Sequence, residues 1–204
     1  MTGPGRRLPA ILIWALLLTA AFGPVVLAAF SPWLAYRDAA YITGGFAGIL
    51  ALSLLLIQPL MVAGYLPGLR GPGGRRWHRR TGVAVVVCVV AHVGGLYITS
   101  PPDTLDALLL VAPTPFSVYG VTAMWGVLLT GLMALARRRI ARPVLWRRAH
   151  NALAAVVVVA TVVHAVQIEG AMELVSKWAL CIAVLVATAV TLLDMRVLRR
   201  RASG

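Results

Sequence analysis

The sequence predicts an all-α membrane protein: a six-helix transmembrane bundle with both termini in the cytoplasm. Of its 204 residues, 60% are hydrophobic and only 12% are charged, whereas roughly a quarter of the residues in a soluble domain are charged. Six apolar stretches each approach the roughly 20 residues that cross a bilayer core. Basic residues concentrate in alternate connections between these stretches. This composition excludes a disordered chain, a disulfide scaffold and an ordinary soluble enzyme.

The six apolar stretches are predicted to be helices because every backbone polar group must find a partner within the bilayer. Together they form one predicted membrane domain over residues 1–204. A further apolar piece, 105–111, is too short to span and is expected at the membrane interface. The predicted spanning segments are about 8–29, 39–62, 81–99, 117–136, 149–168 and 174–194.

The charges of the connections predict the orientation. Five arginines lie in the connection 63–80 and six in 137–148, whereas the connection 100–116 carries only Asp103 and Asp106. Cytoplasmic connections are enriched in Lys and Arg, which places both termini in the cytoplasm. The net charge of +13 is then a topology signal, and no nucleic-acid partner is expected. The predicted location is the inner (plasma) membrane of the cell, with lipid as a partner. The basic residues of the termini are Arg6, Arg7, Arg196, Arg199, Arg200 and Arg201.

The first apolar stretch has a second interpretation. Arg6 and Arg7, a long apolar run and small residues near Ala29 resemble a signal peptide. The run is about 20 residues long, beyond the 7–15 typical of such signals. A retained first helix is therefore expected, and cleavage would leave five helices in the same orientation.

Four histidines carry the functional argument. His78 and His92 are 14 residues apart, and so are His150 and His164. Fourteen residues rise about 21 Å along a helix and return to within about 40° of the same face. The third and fifth segments run in the same direction, so the histidines are predicted to form two levels. We call His78 and His150 the inner pair and His92 and His164 the outer pair.

The two segments also form a local repeat with an offset of 72 residues, which relates Arg75–His78 to Arg147–His150 and His92 to His164. Matched depth and phase suit two planar cofactors, each held by one imidazole from each helix. A neutral imidazole binds haem iron, and two of them leave no open position. No Cys-x-x-Cys-His motif occurs, so the predicted cofactors are two non-covalent b haems. Zinc fits less well, since it takes three or four protein ligands.

Arginines flank the inner pair and suit the carboxylates of haem propionates. The predicted cofactor-binding residues are Arg76, Arg79, Arg147 and Arg148, although any of them could serve only to set topology. Val85 and Val157 fall midway between the two levels, so small aliphatic side chains are expected between the haems. Glycines at 44, 45, 48, 94 and 95 permit close approach of a helix or a flat ring, with helix packing the expected reason for the first three.

Residues 75–168 resemble the ferric reductase-like transmembrane domain. Ferric reductases, NADPH oxidases and the haem-binding subunit of the bacterial methionine sulfoxide reductase system share this domain. It has six helices with histidine pairs on the third and fifth, and a tryptophan before the fifth-helix histidine resembles Trp146. The resemblance implies an inner haem on His78 and His150 and an outer haem on His92 and His164. It is strongest to stand-alone bacterial members, because only ten residues follow the sixth segment.

The expected function is transmembrane electron transfer by the haem-binding membrane subunit of an oxidoreductase. The resemblance implies a separate cytoplasmic donor, a flavoprotein or a quinol. The outer acceptor would be ferric iron, oxygen or a periplasmic redox protein. One alternative is a haem-free transporter or proton pathway with a histidine relay, which is disfavoured because no Asp, Glu, Lys or Arg lies mid-segment. Another is a structural membrane protein in which the histidines are incidental.

Overall fold

A computed structural model describes residues 4–139 and 142–203, with side chains over 8–139 and 142–194. This part of the chain contains seven α-helices and two short 3-10 turns, at Pro32–Leu34 and Ala136–Arg139. The helices are α1 (Pro4–Ala29), α2 (Ala39–Ala63), α3 (Gly71–Thr99), α4 (Pro101–Leu108), α5 (Pro115–Leu135), α6 (Pro143–Gln167) and α7 (Leu174–Ser203).

The all-helical fold and the six spanning segments are confirmed, since all helices but α4 are long and apolar enough to cross a membrane. The chain is a multi-pass membrane protein. The terminal arginines 6, 7, 196 and 199–201, on which the orientation partly rests, lie outside the residues with described side chains. The short helix α4 contains the first part of the piece expected at the interface.

Helices α3 and α6 begin earlier than predicted, at Gly71 and Pro143 instead of residues 81 and 149. Each has a proline in its first turn, where a missing N–H costs nothing, followed by arginines, which are good helix formers. Hydropathy alone ends a segment where the charges begin, although the helix continues past them. His78 and His150 consequently lie inside regular helix.

Both ends of α2 are fixed by local contacts. At its start, the Asp38 carboxylate accepts a hydrogen bond from the Tyr41 amide at 2.8 Å. This bond holds the pKa of Asp38 below its usual value. At its end, Gly64 adopts a left-handed conformation with φ of 76° and closes the helix. These two contacts determine where α2, the helix that packs against the histidines of α3, begins and ends.

The bundle consists of two antiparallel pairs, α2 with α3 and α5 with α6, with α7 packed against both α2 and α6. The main core lies among α1, α2, α6 and α7, and includes Leu52, Leu180 and Val184. Over the described residues, α3 and α6 have no extensive backbone contact, so they meet mainly through side chains. Cys88 and Cys181 are buried free thiols, as expected for a chain without a disulfide framework.

Two polar contacts attach α7 to the rest of the bundle. At one end, the Tyr65 hydroxyl donates to the Asp194 carboxylate. At the other, the ammonium group of Lys177 donates to the Ile168 carbonyl at 2.7 Å. Lys177 is only 6% exposed, so its charge is placed against the carboxyl end of α6, where the helix dipole favours a cation.

Candidate functional site

The four histidines lie in the two pairs expected from their spacing. The ring centroids of His78 and His150 are 6.1 Å apart, and those of His92 and His164 are 6.3 Å apart. The ring planes meet at 72° in the inner pair and 76° in the outer pair. Each pair joins α3 to α6, so the two helices bring the four histidines together two by two, at two separate levels.

These separations fit a shared metal ion. An imidazole nitrogen binds a transition metal at about 2.0 Å, so two rings on opposite sides of one ion have centroids about 6 Å apart. Direct packing of the rings would also allow such distances, so the positions of the protons provide an independent test.

Three of the four histidines donate a hydrogen bond from Nδ1 to a backbone carbonyl. His78 donates to Gln58 at 3.0 Å, while His92 and His164 donate to Gly44 and Phe116, each at 2.8 Å. A carbonyl oxygen has no proton to give, so Nδ1 must carry the proton in all three rings. In a neutral imidazole this leaves the Nε2 lone pair free, which is how metal-binding histidines are held in position.

His150 is held differently. Its Nδ1 is buried and has no hydrogen-bond partner. Its ring instead stacks on Trp146, with centroids 5.0 Å apart and planes 9° apart. The Trp146 indole N–H donates to the Met133 carbonyl at 3.2 Å, and the guanidinium carbon of Arg137 lies 4.9 Å from the indole centre.

The structure extends the 72-residue repeat to whole helix pairs. Adding 72 to the contact of His92 with the Gly44 carbonyl gives the contact of His164 with the Phe116 carbonyl. The α2–α3 pair is therefore repeated as α5–α6. Equivalent positions include 44 and 116, 48 and 120, 58 and 130, 61 and 133, 74 and 146, 78 and 150, 85 and 157, and 92 and 164.

Gly48 and Gly120 face the outer histidines. A Cβ at Gly48 would lie 2.9 Å from the His92 ring, and one at Gly120 would lie 2.7 Å from the His164 ring. The sequence analysis attributed Gly48 to helix packing, and the structure gives this packing a specific partner, the ring of His92 on α3. Sequence reasoning missed Gly120, although the 72-residue offset applied to Gly48 points to it.

Gly44 and Gly95 follow the expectation of close helix packing, whereas Gly45 does not. A Cβ at Gly44 would lie 3.2 Å from the Cα of Gly95, so the two residues let α2 and α3 approach closely. Gly45 and Gly94 have no neighbouring atoms within 4 Å of an added Cβ. The glycines of α2 and α3 thus divide into those facing a ring, those packing helices and those in open space.

Aliphatic side chains fill the space between the two levels. Val85, Val127 and Val157 form a small buried cluster, each less than a tenth exposed. Gly126 lets Val157 pack closely, since a Cβ there would overlap its side chain. The expected small aliphatic residues, Val85 and Val157, do lie between the pairs. Trp125 is not part of this cluster and is 55% exposed.

The four candidate arginines differ in burial. Arg147 is half-buried and its Nε is a buried donor without a partner. Arg76, Arg79 and Arg148 are exposed. A buried guanidinium N–H without an acceptor is costly, and a carboxylate bound beside His150 would satisfy it. Arg147 is therefore the one of the four with a buried guanidinium donor that is left unpaired.

The donor set also limits the kind of metal. Within residues 8–139 and 142–194, no three His, Cys, Asp or Glu side chains converge on one point. Each level instead offers two imidazoles on opposite helices. Two imidazole donors would suit haem iron, which takes its other ligands from the porphyrin. The residues present therefore fit haem.

The fold and the histidine pairs define a class: a multi-pass membrane protein with paired imidazoles between two helices. The family model described as "Ferric reductase like transmembrane component" matches residues 44–161, more than half of the chain. The chain belongs to this family, as the resemblance of its third to fifth spanning segments predicted. The match covers α2 to α6 up to three residues before His164. No curated protein and no solved structure gives a significant match.

Family membership gives the general function. Domains of this family carry out electron transfer in membranes and are generally haem-binding.

Proposed function

We propose that the chain binds two b haems and transfers electrons from one side of the membrane to the other. His78 and His150 would hold the inner haem, and His92 and His164 the outer haem. The observation that carries this proposal is the combination of centroid separations near 6 Å in both pairs with protonated Nδ1 atoms on three of the four rings.

The chain's own residues supply the ligands and their support. The carbonyls of Gln58, Gly44 and Phe116 hold the Nδ1 protons and orient the rings. Such partners make an imidazole a stronger electron donor and fix its orientation. A bound haem would supply a one-electron iron couple, and while both imidazoles of a pair were its ligands the iron would have no open position for oxygen. This arrangement favours electron transfer over oxygen binding at the metal.

The space between the levels is suited to electron passage without water. The two levels are separated by about 21 Å along α3 and α6. The cluster of Val85, Val127 and Val157 lies between them and contains no polar side-chain atom. Its packing excludes water and ions from the space between the two haem sites.

The arginines support the proposed direction. By the positive-inside rule, the inner pair lies on the cytoplasmic side of the cell's inner membrane. Exposed Arg76, Arg79 and Arg148 would attract the anionic surface of a flavoprotein donor. A quinol is the other candidate donor. The outer acceptor would be ferric iron, oxygen or a periplasmic redox protein.

The alternative of a histidine relay for proton transport has less support. A relay needs titratable groups or water that pass protons from one histidine to the next. Here three Nδ1 atoms donate to backbone carbonyls, and a carbonyl has no proton of its own to pass on. Valines also separate the two levels.

Haem content tests the proposed function directly. The protein purified in detergent, with haem added during expression, is expected to contain two b haems per chain. The measurements are a pyridine haemochrome assay and a reduced-minus-oxidised spectrum. Circular dichroism and gel filtration report whether the sample is folded. A folded, monodisperse protein without haem would contradict the proposal.

Arg147→Gln is expected to weaken inner-haem binding. A charge-assisted hydrogen bond contributes about 1.5–3 kcal/mol, which corresponds to roughly a tenfold to hundredfold loss of affinity. The rate of haem transfer to excess apomyoglobin measures the effect. Arg148→Gln is the matched control, because Arg148 is exposed and solvent screens its charge. Equal haem loss in both variants would remove the special role of Arg147.

A further inference from the structure

We propose that Trp146 is a positioning residue that holds His150 by stacking, and that His150 is the axial ligand that exchanges most readily. On this view the inner site can open on its α6 side to a small neutral ligand of ferrous iron, of which carbon monoxide is the probe. The inference rests on the proposed function, since it concerns how the chain holds the inner haem.

The first observation is a break in the internal repeat. His78 donates its Nδ1 proton to the Gln58 carbonyl. The equivalent acceptor for His150, 72 residues further on, is the carbonyl of Thr130. The Nδ1 of His150 is nevertheless buried without a partner. The outer histidines, by contrast, keep the same contact in both repeats.

The second observation supplies a cause. Position 74 in the first repeat is glycine, and a Cβ there would overlap the backbone carbonyls of Met61 and Leu69. The start of α3 therefore packs directly on the end of α2. The equivalent residue in the second repeat is Trp146, and its indole N–H donates to the carbonyl of Met133, the counterpart of Met61.

In the first repeat, Gly74 lets α3 contact α2 directly. In the second repeat, the indole of Trp146 occupies the equivalent space between α6 and α5. We attribute the unpaired Nδ1 of His150 to this spacer between α5 and α6. The same indole lies nearly parallel to the His150 ring, 9° from coplanar alignment. Two further contacts hold the indole: its N–H donates to the Met133 carbonyl, and the Arg137 guanidinium lies over its ring.

Stacking and hydrogen bonding have different effects on the orientation and the donor strength of a histidine ligand. A carbonyl acceptor on Nδ1 raises the electron-donating strength of the imidazole and fixes its rotation. Stacking on Trp146 fixes the plane of the His150 ring without adding to its donor strength. His150 is therefore the weakest of the four ligands, and its position depends on one side chain.

Ligand exchange at this site would need only carbon monoxide and a haem already reduced by the added dithionite. Displacement would break the bond between His150 Nε2 and the ferrous iron of a bound haem and would form one bond from that iron to the carbon of carbon monoxide. No electron is gained or lost, and the released imidazole stays neutral. His150 remains in the bundle on α6 and can rebind when the ligand leaves.

The test is carbon monoxide binding to the dithionite-reduced, haem-loaded protein. In the wild type, the reaction is expected at one of the two haems, the inner one. It should persist in His92→Ala, where the outer haem is removed. Trp146→Leu is expected to speed or strengthen binding about tenfold or more, the usual effect of losing a residue that supports a metal ligand. Trp146→Phe keeps an aromatic ring and should stay close to the wild type. Trp125→Leu, at an exposed tryptophan, is the matched control.

The outcomes separate this inference from the proposed function. A wild-type protein without haem contradicts the function itself. A two-haem protein that binds carbon monoxide only at the outer haem, or at neither haem in the wild type and Trp146→Leu alike, overturns this inference alone. So does a Trp146→Phe variant as reactive as Trp146→Leu. If Trp146→Leu does not fold, the comparison of wild type with His92→Ala still shows which haem exchanges its ligand.

Discussion

Replacing His92 by alanine is expected to remove the outer haem and stop electron transfer across the membrane, while the inner haem remains. His92 lies opposite His164 with centroids 6.3 Å apart, so its loss leaves one imidazole at that level. The haemochrome assay should fall from two haems per chain to one. In proteoliposomes with a reductant on one side and ferricyanide on the other, the rate should fall to that of empty vesicles.

Two variants make this result specific. His150→Ala should also lose one haem, but with the spectrum of the inner rather than the outer site. Val90→Ala, on the same helix as His92 and 58% exposed, should retain both haems and the full rate. Loss of both haems from either histidine variant would mean that the fold collapses or that ligands are shared between levels, and would contradict two independent sites.

Gly120→Ala is expected to weaken the outer haem although no ligand is changed. The added Cβ would lie 2.7 Å from the His164 ring, too close for both to keep their positions. Since Nδ1 of His164 is held by the Phe116 carbonyl, the ring must break that bond to move. Losing such support costs about 10–100-fold in metal affinity. Outer-haem content and its midpoint potential in a redox titration measure the effect.

The control for this substitution comes from the same set of glycines. Gly45→Ala and Gly94→Ala add a Cβ with no atom within 4 Å, and should leave both haems in place. Alanine is favoured over glycine in a helix by about 1 kcal/mol, so a general loss of helix stability cannot explain haem loss. Normal outer-haem content in Gly120→Ala, or an equal loss in the controls, would show that ring contact does not matter.

The sequence predicted the parts of this site that depend on residue identity and spacing. Two histidine spacings of 14, and their offset of 72, were sufficient to pair the four rings and to place Val85 and Val157 between them. Apolar length was sufficient for the six spans. It did not place the starts of α3 and α6, because arginines continue a helix that hydropathy no longer marks.

Other parts of the site leave no mark that residue identity can reveal. The acceptors for His92 and His164 are main-chain carbonyls, so Gly44 and Phe116 do equivalent work with unrelated side chains. The arginines near the inner pair look alike in sequence, yet among the described residues the half-buried Arg147 is the one whose Nε is buried without a partner. The role of Trp146 is visible only from its contrast with Gly74. These two residues occupy equivalent positions of the repeat, beside the equivalent carbonyls of Met133 and Met61.

The valine cluster between the two levels has a consequence for energy conversion. Ions do not enter a packed hydrocarbon interior without several kcal/mol of desolvation, so under the proposed function an electron crosses alone, with no proton following it through the protein. Each turnover would then move net charge and build a voltage that opposes the next one. Sustained flux would require a separate conductance in the same membrane to return the charge.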